Sequence, residues 1–76
     1  MKLYFENCYG ARRLIAEVEK QTDVGPEITK FIDTCNAKQT PEKRFKSYYL
    51  RSWENEDGEI VYDFGSHSQF FYLCKE

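Results

Sequence analysis

The sequence predicts an α+β domain: a five-stranded antiparallel sheet in the order ββαβββ, with one helix packed on one face. Three observations predict it. Nine of the 13 aromatic residues fall between Phe45 and Tyr72, in a run that divides into three short strands. Two further alternating segments open the chain, before a single stretch of helical periodicity. Glycine-bearing turn signals separate the strands at Tyr9-Gly10 and Glu56-Asp57-Gly58.

Lys2 to Asn7 reads as the first strand, with Leu3 and Phe5 on one face and Tyr4 on the other. After the turn at Gly10, Arg12 to Glu19 alternates. Leu14, Ala16 and Val18 fall on one face, and Arg13, Ile15 and Glu17 on the other. These two strands form a hairpin. Gln21 to Gly25 breaks the pattern before the helix. Gly25 suits the cap and Pro26 the first helical position, where its missing N–H has no partner to lose. Ile28, Phe31, Ile32 and Cys35 make one apolar stripe, while Glu27, Lys30 and Asp33 face water. Asn36, tolerant of left-handed backbone, is the expected stop.

A polar connection, Ala37 to Arg44, leads to strands at Phe45–Trp53, Glu59–Phe64 and Gln69–Cys74. The register of the first two decides which side chains share a face. A two-residue turn at Asp57-Gly58 groups Tyr49, Arg51 and Trp53 with Tyr62 and Phe64. A three-residue turn at Glu56-Asp57-Gly58 groups them with Val61 and Asp63 instead, setting Arg51 opposite Asp63. The second is favoured, because it pairs two charges and leaves Tyr48, Leu50, Tyr62 and Phe64 as a cleaner apolar face.

Seventy-six residues make one domain, spanning 1–76, and a chain this short hides only about 60% of its unfolded surface. A deep private cavity is not expected. With 32% charged and 41% hydrophobic residues the chain is an ordinary globule. Its apolar runs fall far short of the roughly 20 residues that span a bilayer. MKLYFENCYG lacks the apolar centre of a signal peptide, so a cytoplasmic location and no membrane partner are expected. Cys8, Cys35 and Cys74 are odd in number and widely spaced, which fits neither a disulfide framework nor a structural zinc site. They read as small reduced hydrophobes. There is no internal repeat, linker or low-complexity segment.

No motif specifies a reaction, a cofactor or a metal. His67, the single histidine, sits in a turn with Ser66 and Ser68 near Asp63, but no nucleophile elbow accompanies it. Asp63, His67 and a cysteine have no recognised ligand spacing. Asp63-Phe64-Gly65 matches a kinase magnesium tripeptide by letters alone. The chain is therefore expected not to be an enzyme. Tyr49, Arg51, Trp53 and Asp63 form a polar-aromatic patch on the uncovered face, in residue types that dominate binding hot spots. That face is also a candidate surface for a homodimer, being apolar for bare surface.

Charge is segregated despite a formal net of −2. Lys38, Lys43, Arg44, Lys46 and Arg51 are followed by Glu54, Glu56, Asp57, Glu59 and Asp63. Net acidity excludes tight nonspecific binding to duplex DNA. Single-stranded nucleic acid is a fairer rival, since aromatics and cations interleave around Tyr48, Tyr49 and Trp53.

KSYYLRSW and YDFGSHSQFFYL, with the opening MKLYFENCYGARRLIAEV, resemble small uncharacterised proteins of phages and mobile elements of Gram-positive bacteria. The resemblance brings no catalytic residues with it. It implies the context in which anti-CRISPR-type inhibitors occur, so the expected partner is a host defence protein, a Cas nuclease first. In that setting Glu54, Glu56, Asp57 and Glu59 would imitate phosphates, with Tyr49, Arg51 and Trp53 as the hot spot. A nucleotide-signal sponge acting between aromatic faces of a dimer is the alternative.

Overall fold

The computed structural model describes residues 1–43, 50–65 and 68–75. Its strands are β1 (Lys2–Glu6), β2 (Arg12–Glu17), β3 (Arg51–Glu54), β4 (Ile60–Asp63) and β5 (Phe70–Cys74), with α1 (Val24–Ala37) between β2 and β3. Single 3-10 turns lie at Gln21–Asp23 and Pro41–Lys43. All strand pairings are antiparallel, in the order β2-β1-β5-β4-β3, which gives the expected α+β class and element order.

The last strand of the sequence is the central strand of the sheet. Along β5, Phe71 and Leu73 point inward, while Phe70, Tyr72 and Cys74 are half-buried on the other side. Register carries this alternation outward: Phe71 pairs with Phe5 and Tyr62, and Leu73 with Leu3 and Ile60. These residues form the floor on which α1 lies. Val24, Ile28 and Ile32, spaced by four, are its buried stripe. Phe71 is the hub of the core, with ring centroids 5.2 Å from Phe5, 5.7 Å from Phe31 and 5.3 Å from Phe64. Such tilted and edge-on pairs each add about 0.5–1.5 kcal/mol beyond their buried area.

Both hairpins close with the same turn. In Asn7-Cys8-Tyr9-Gly10-Ala11 the Asn7 side-chain oxygen accepts from the N–H groups of Tyr9 (2.9 Å) and Ala11 (3.1 Å). In Asn55-Glu56-Asp57-Gly58-Glu59 the Asn55 oxygen accepts from Asp57 (3.0 Å) and Glu59 (2.9 Å). Gly10 (φ 83°) and Gly58 (φ 79°) take the left-handed position of each. The motif Glu-Asn-x-x-Gly therefore occurs twice as a structural unit, although the flanking strands share no sequence pattern. The three-residue loop also fixes the favoured register: Arg51 faces Asp63, and Trp53 faces Val61.

Several local expectations are corrected. A bulge between Leu3 and Tyr4 on β1 leaves Ile15 as an extra residue on β2, so Ala16 pairs with Leu3 but Leu14 pairs with Tyr4. Leu14 thus moves to the uncovered face, 48% exposed, and Ile15 packs against the core. The helix starts at Val24, which puts Pro26 third, still within the first turn where N–H groups lack partners. It runs through Asn36 to a right-handed cap at Lys38, whose N–H reaches Cys35 and Asn36 carbonyls. Leu50, expected in the core, is 40% exposed. Residues 45–49, including Tyr48 and Tyr49, lie outside the described residues, as do Ser66 and His67.

Substitution of the turn glycines separates backbone strain from crowding, because a Cβ at Gly10 or Gly58 would meet no atom within 4 Å. Gly10→Ala and Gly58→Ala should each cost about 1 kcal/mol through φ alone. Gly25→Ala, helical and equally open, should instead gain about 0.5 kcal/mol or more. Urea unfolding of the three variants checks the opposite signs.

Candidate functional site

The face away from α1 carries three rows of side chains across the sheet. Leu14, Tyr4, Tyr72, Val61 and Trp53 make the middle row, one from each strand. Trp53 is 45% exposed, while Val61, between Trp53 and Tyr72, is buried although no helix covers it. The Trp53 ring meets Phe70 edge-on at 6.5 Å. Beside them Arg51 Nη2 donates to Asp63 Oδ2 at 2.7 Å, and Asp63 Oδ1 accepts from the Gly65 N–H at 2.8 Å. Asp63 is therefore a buried, satisfied carboxylate, with Arg51 as its largely exposed lid. Of the expected patch, Arg51, Trp53 and Asp63 come together on one face; Tyr49 lies outside the described residues.

A second cation organises the rest of this face. Arg12, beginning β2, pairs across the hairpin with Glu6, its Nε donating to Oε1 at 3.0 Å. Its guanidinium then passes over the Tyr72 ring, 3.8 Å from the centroid. Finally it grips Glu59 with both amino groups, at 2.7 and 3.3 Å. One side chain thus links the β1–β2 hairpin to the β3–β4 turn across the central strand. Bidentate geometry and stacking are what arginine provides and lysine does not.

Glu59 consequently differs from the other acids of its turn. Besides Arg12 it accepts from Asn55 Nδ2 (3.1 Å) and the Cys74 thiol (3.2 Å). Hydrogen bonds from Arg12 are the largest influence and, against the cost of desolvation, hold its carboxyl down at about 2, from an ordinary 4.5. The same contacts raise the Arg12 guanidinium, and burial raises the phenols of Tyr62 and Tyr72. Glu54 meets only Lys75, at 3.2 Å between two well-exposed side chains, a weak pair in water. Glu56 and Asp57 are exposed at the tip, with carboxylates that have no partner among the described residues. The four acids of the tip therefore divide. Glu56 and Asp57 are open to a partner, Glu54 is loosely held, and Glu59 is part of the frame.

Sequence reasoning missed Arg12, Asn55 and Tyr72. Arg12 and Glu59 are 47 residues apart, and no local pattern marks the pair. Asn55 had a signal, since Asn7 precedes the other turn glycine at the same spacing. Between Lys2, Tyr4, Arg12, Gly58 and Cys74 the face opens into a shallow hollow of about 580 Å³. No group of three or more potential metal ligands exists among the described residues. No helix among them is long and apolar enough to cross a membrane. No protein family, curated protein or solved structure matches the chain.

Acid should reveal the Glu59 contact. Its carboxyl is held below the ordinary value, so its stabilisation is complete above about pH 4.5 and is lost as pH falls toward 2. Glu59→Gln should flatten that limb of a stability-against-pH curve and lower stability at pH 7. In a double-mutant cycle, Arg12→Ala and Glu59→Ala should couple by about 1–2 kcal/mol at low salt. Coupling near zero would mean that the contact does not tie the hairpins.

Proposed function

We propose that this chain is a non-catalytic inhibitor of the small phage type, acting by binding a host defence protein, with the nucleic-acid surface of a Cas-type nuclease as its target. The observation that carries the reading is a hairpin tip with two exposed carboxylates, Glu56 and Asp57, without partners among the described residues, close to the exposed Trp53. Asn55 holds that tip rigid, so presenting its charges to a basic surface costs little conformational entropy. Trp53 and the Arg51 lid adjoin it on a sheet face that no helix covers, and large rigid side chains of these types concentrate binding energy. Long-range attraction of the acidic tip would speed encounter, while Trp53 would slow dissociation.

The test separates the open acids from the structural one. Glu56→Ser with Asp57→Ser should keep the fold, because neither carboxylate holds a partner among the described residues, and should weaken inhibition of a sensitive nuclease about tenfold or more. Trp53→Ala should weaken it comparably, with a larger effect on the dissociation rate. Full inhibition by both folded variants would overturn the reading. Glu59 has to remain in these variants, since its loss would loosen the frame and confuse the result.

A further inference from the structure

Along the β2 edge of the sheet, the flank of α1 and the exposed side of β2 enclose a trough. It consists of two connected hollows of about 180 and 370 Å³, which share Arg13, Phe31, Cys35 and Lys38. The half-buried Phe31 and Phe5 rings form its floor, 4.8 Å apart, and the Arg13 guanidinium stands 5.3 Å from the Phe31 centroid. Arg13, Lys30 and Lys38 rim it. All three are exposed, and none makes an ion pair with a described residue. Glu27, at the far end, is the single acid in the lining. Three exposed cations around an aromatic floor, with no ion pair to any described residue and one acid in the lining, make the trough locally basic in a chain of net negative charge.

We propose that this trough binds an extended acidic segment of a partner protein, laid between α1 and the edge of β2. Lining residues run along the helix from Glu27 to Lys38, about 16 Å at 1.5 Å per residue. That length accommodates about five extended residues at about 3.3 Å each. Alternate side chains then face opposite ways, so apolar ones reach Phe31 and Phe5 while carboxylates meet Arg13, Lys30 and Lys38. Among the described residues β2 pairs with β1 alone, so its outer backbone groups are open to strand addition. The bulge at Ile15 interrupts that edge, which restricts main-chain pairing to short stretches and leaves selectivity to the trough. This surface is distinct from that of the inhibitor reading, because neither Glu56 nor Asp57 lines the trough.

The test is a titration of 15N-labelled protein with a pool of hexapeptides alternating Asp or Glu with Val, Ile or Phe. A second pool carries Lys in place of the acids. The acidic pool should shift the amides of residues 12–17 and 27–38, and the Lys pool should not. Lys30→Glu with Lys38→Glu, both exposed on the helix, should leave the remaining spectrum unchanged and require about tenfold more peptide. Glu56→Ser with Asp57→Ser should bind the peptides as the parent does, which keeps the failure of one surface distinct from that of the other. Absent shifts at 12–17 and 27–38, shifts confined to the opposite sheet face, or undiminished binding by the charge-reversed variant would each overturn the proposal.

Discussion

A single helix of 14 residues can cover one face of a five-stranded sheet and no more, and this constraint shapes the rest of the molecule. The covered side is solved by hydrophobic burial: three helical residues spaced by four lie on Leu3, Ile60, Phe71 and Leu73. The other side has to stay in water without collapsing onto itself or leaving bare strands. It does so with side chains that are apolar along their length and polar at the end. Tyr4, Tyr72 and Trp53 cover backbone and Val61 while keeping a polar group wet. Arg12 and Arg51 then lie across aromatic or buried acidic groups as planar lids.

Arg12 gives this face its mechanical unity. On this face, hairpins at the two sides of β5 each pair with that strand and not with one another. The guanidinium adds a cross-tie from Glu6 to Glu59 that resists shear between them. Its cost in desolvation is moderate, because the pair is partly wet and every guanidinium contact is complementary. The same tie has an electrostatic consequence for function. It neutralises Glu59 at the base of the turn, so the negative charge of the turn is left mainly on the exposed Glu56 and Asp57.

Much of the fold was legible because it rests on local chemistry. Strand alternation, the helical stripe at Ile28 and Ile32, and the glycine turns are all short-range signals, and each has a physical reading. The β3–β4 register was legible for a different reason: only one alignment pairs Arg51 with Asp63, and a wrong one would strand both charges. What was not legible is what depends on a partner strand. The bulge at Ile15 exists because β2 must match β1, and it reverses the face of Leu14 without any mark in the composition of β2. Glu59 shows the same limit within the candidate site. Read along the chain it is one of a run of acids; in space it belongs to Arg12.

Segregated charge completes the picture. The acidic turn joins β3 to β4, whereas Arg13, Lys30 and Lys38, without ion pairs among the described residues, line the trough between β2 and α1. A net charge of −2 therefore describes neither surface, since each is set by its own local residues. Local charge does something that net charge cannot: it favours one orientation during approach, so that encounter with a charged surface already selects one patch. At 0.15 M salt the Debye length is about 8 Å, so each exposed patch acts mainly on its own neighbourhood. The acidic tip and the basic trough are thus separable surfaces, joined by a frame whose own charges are spent on one another.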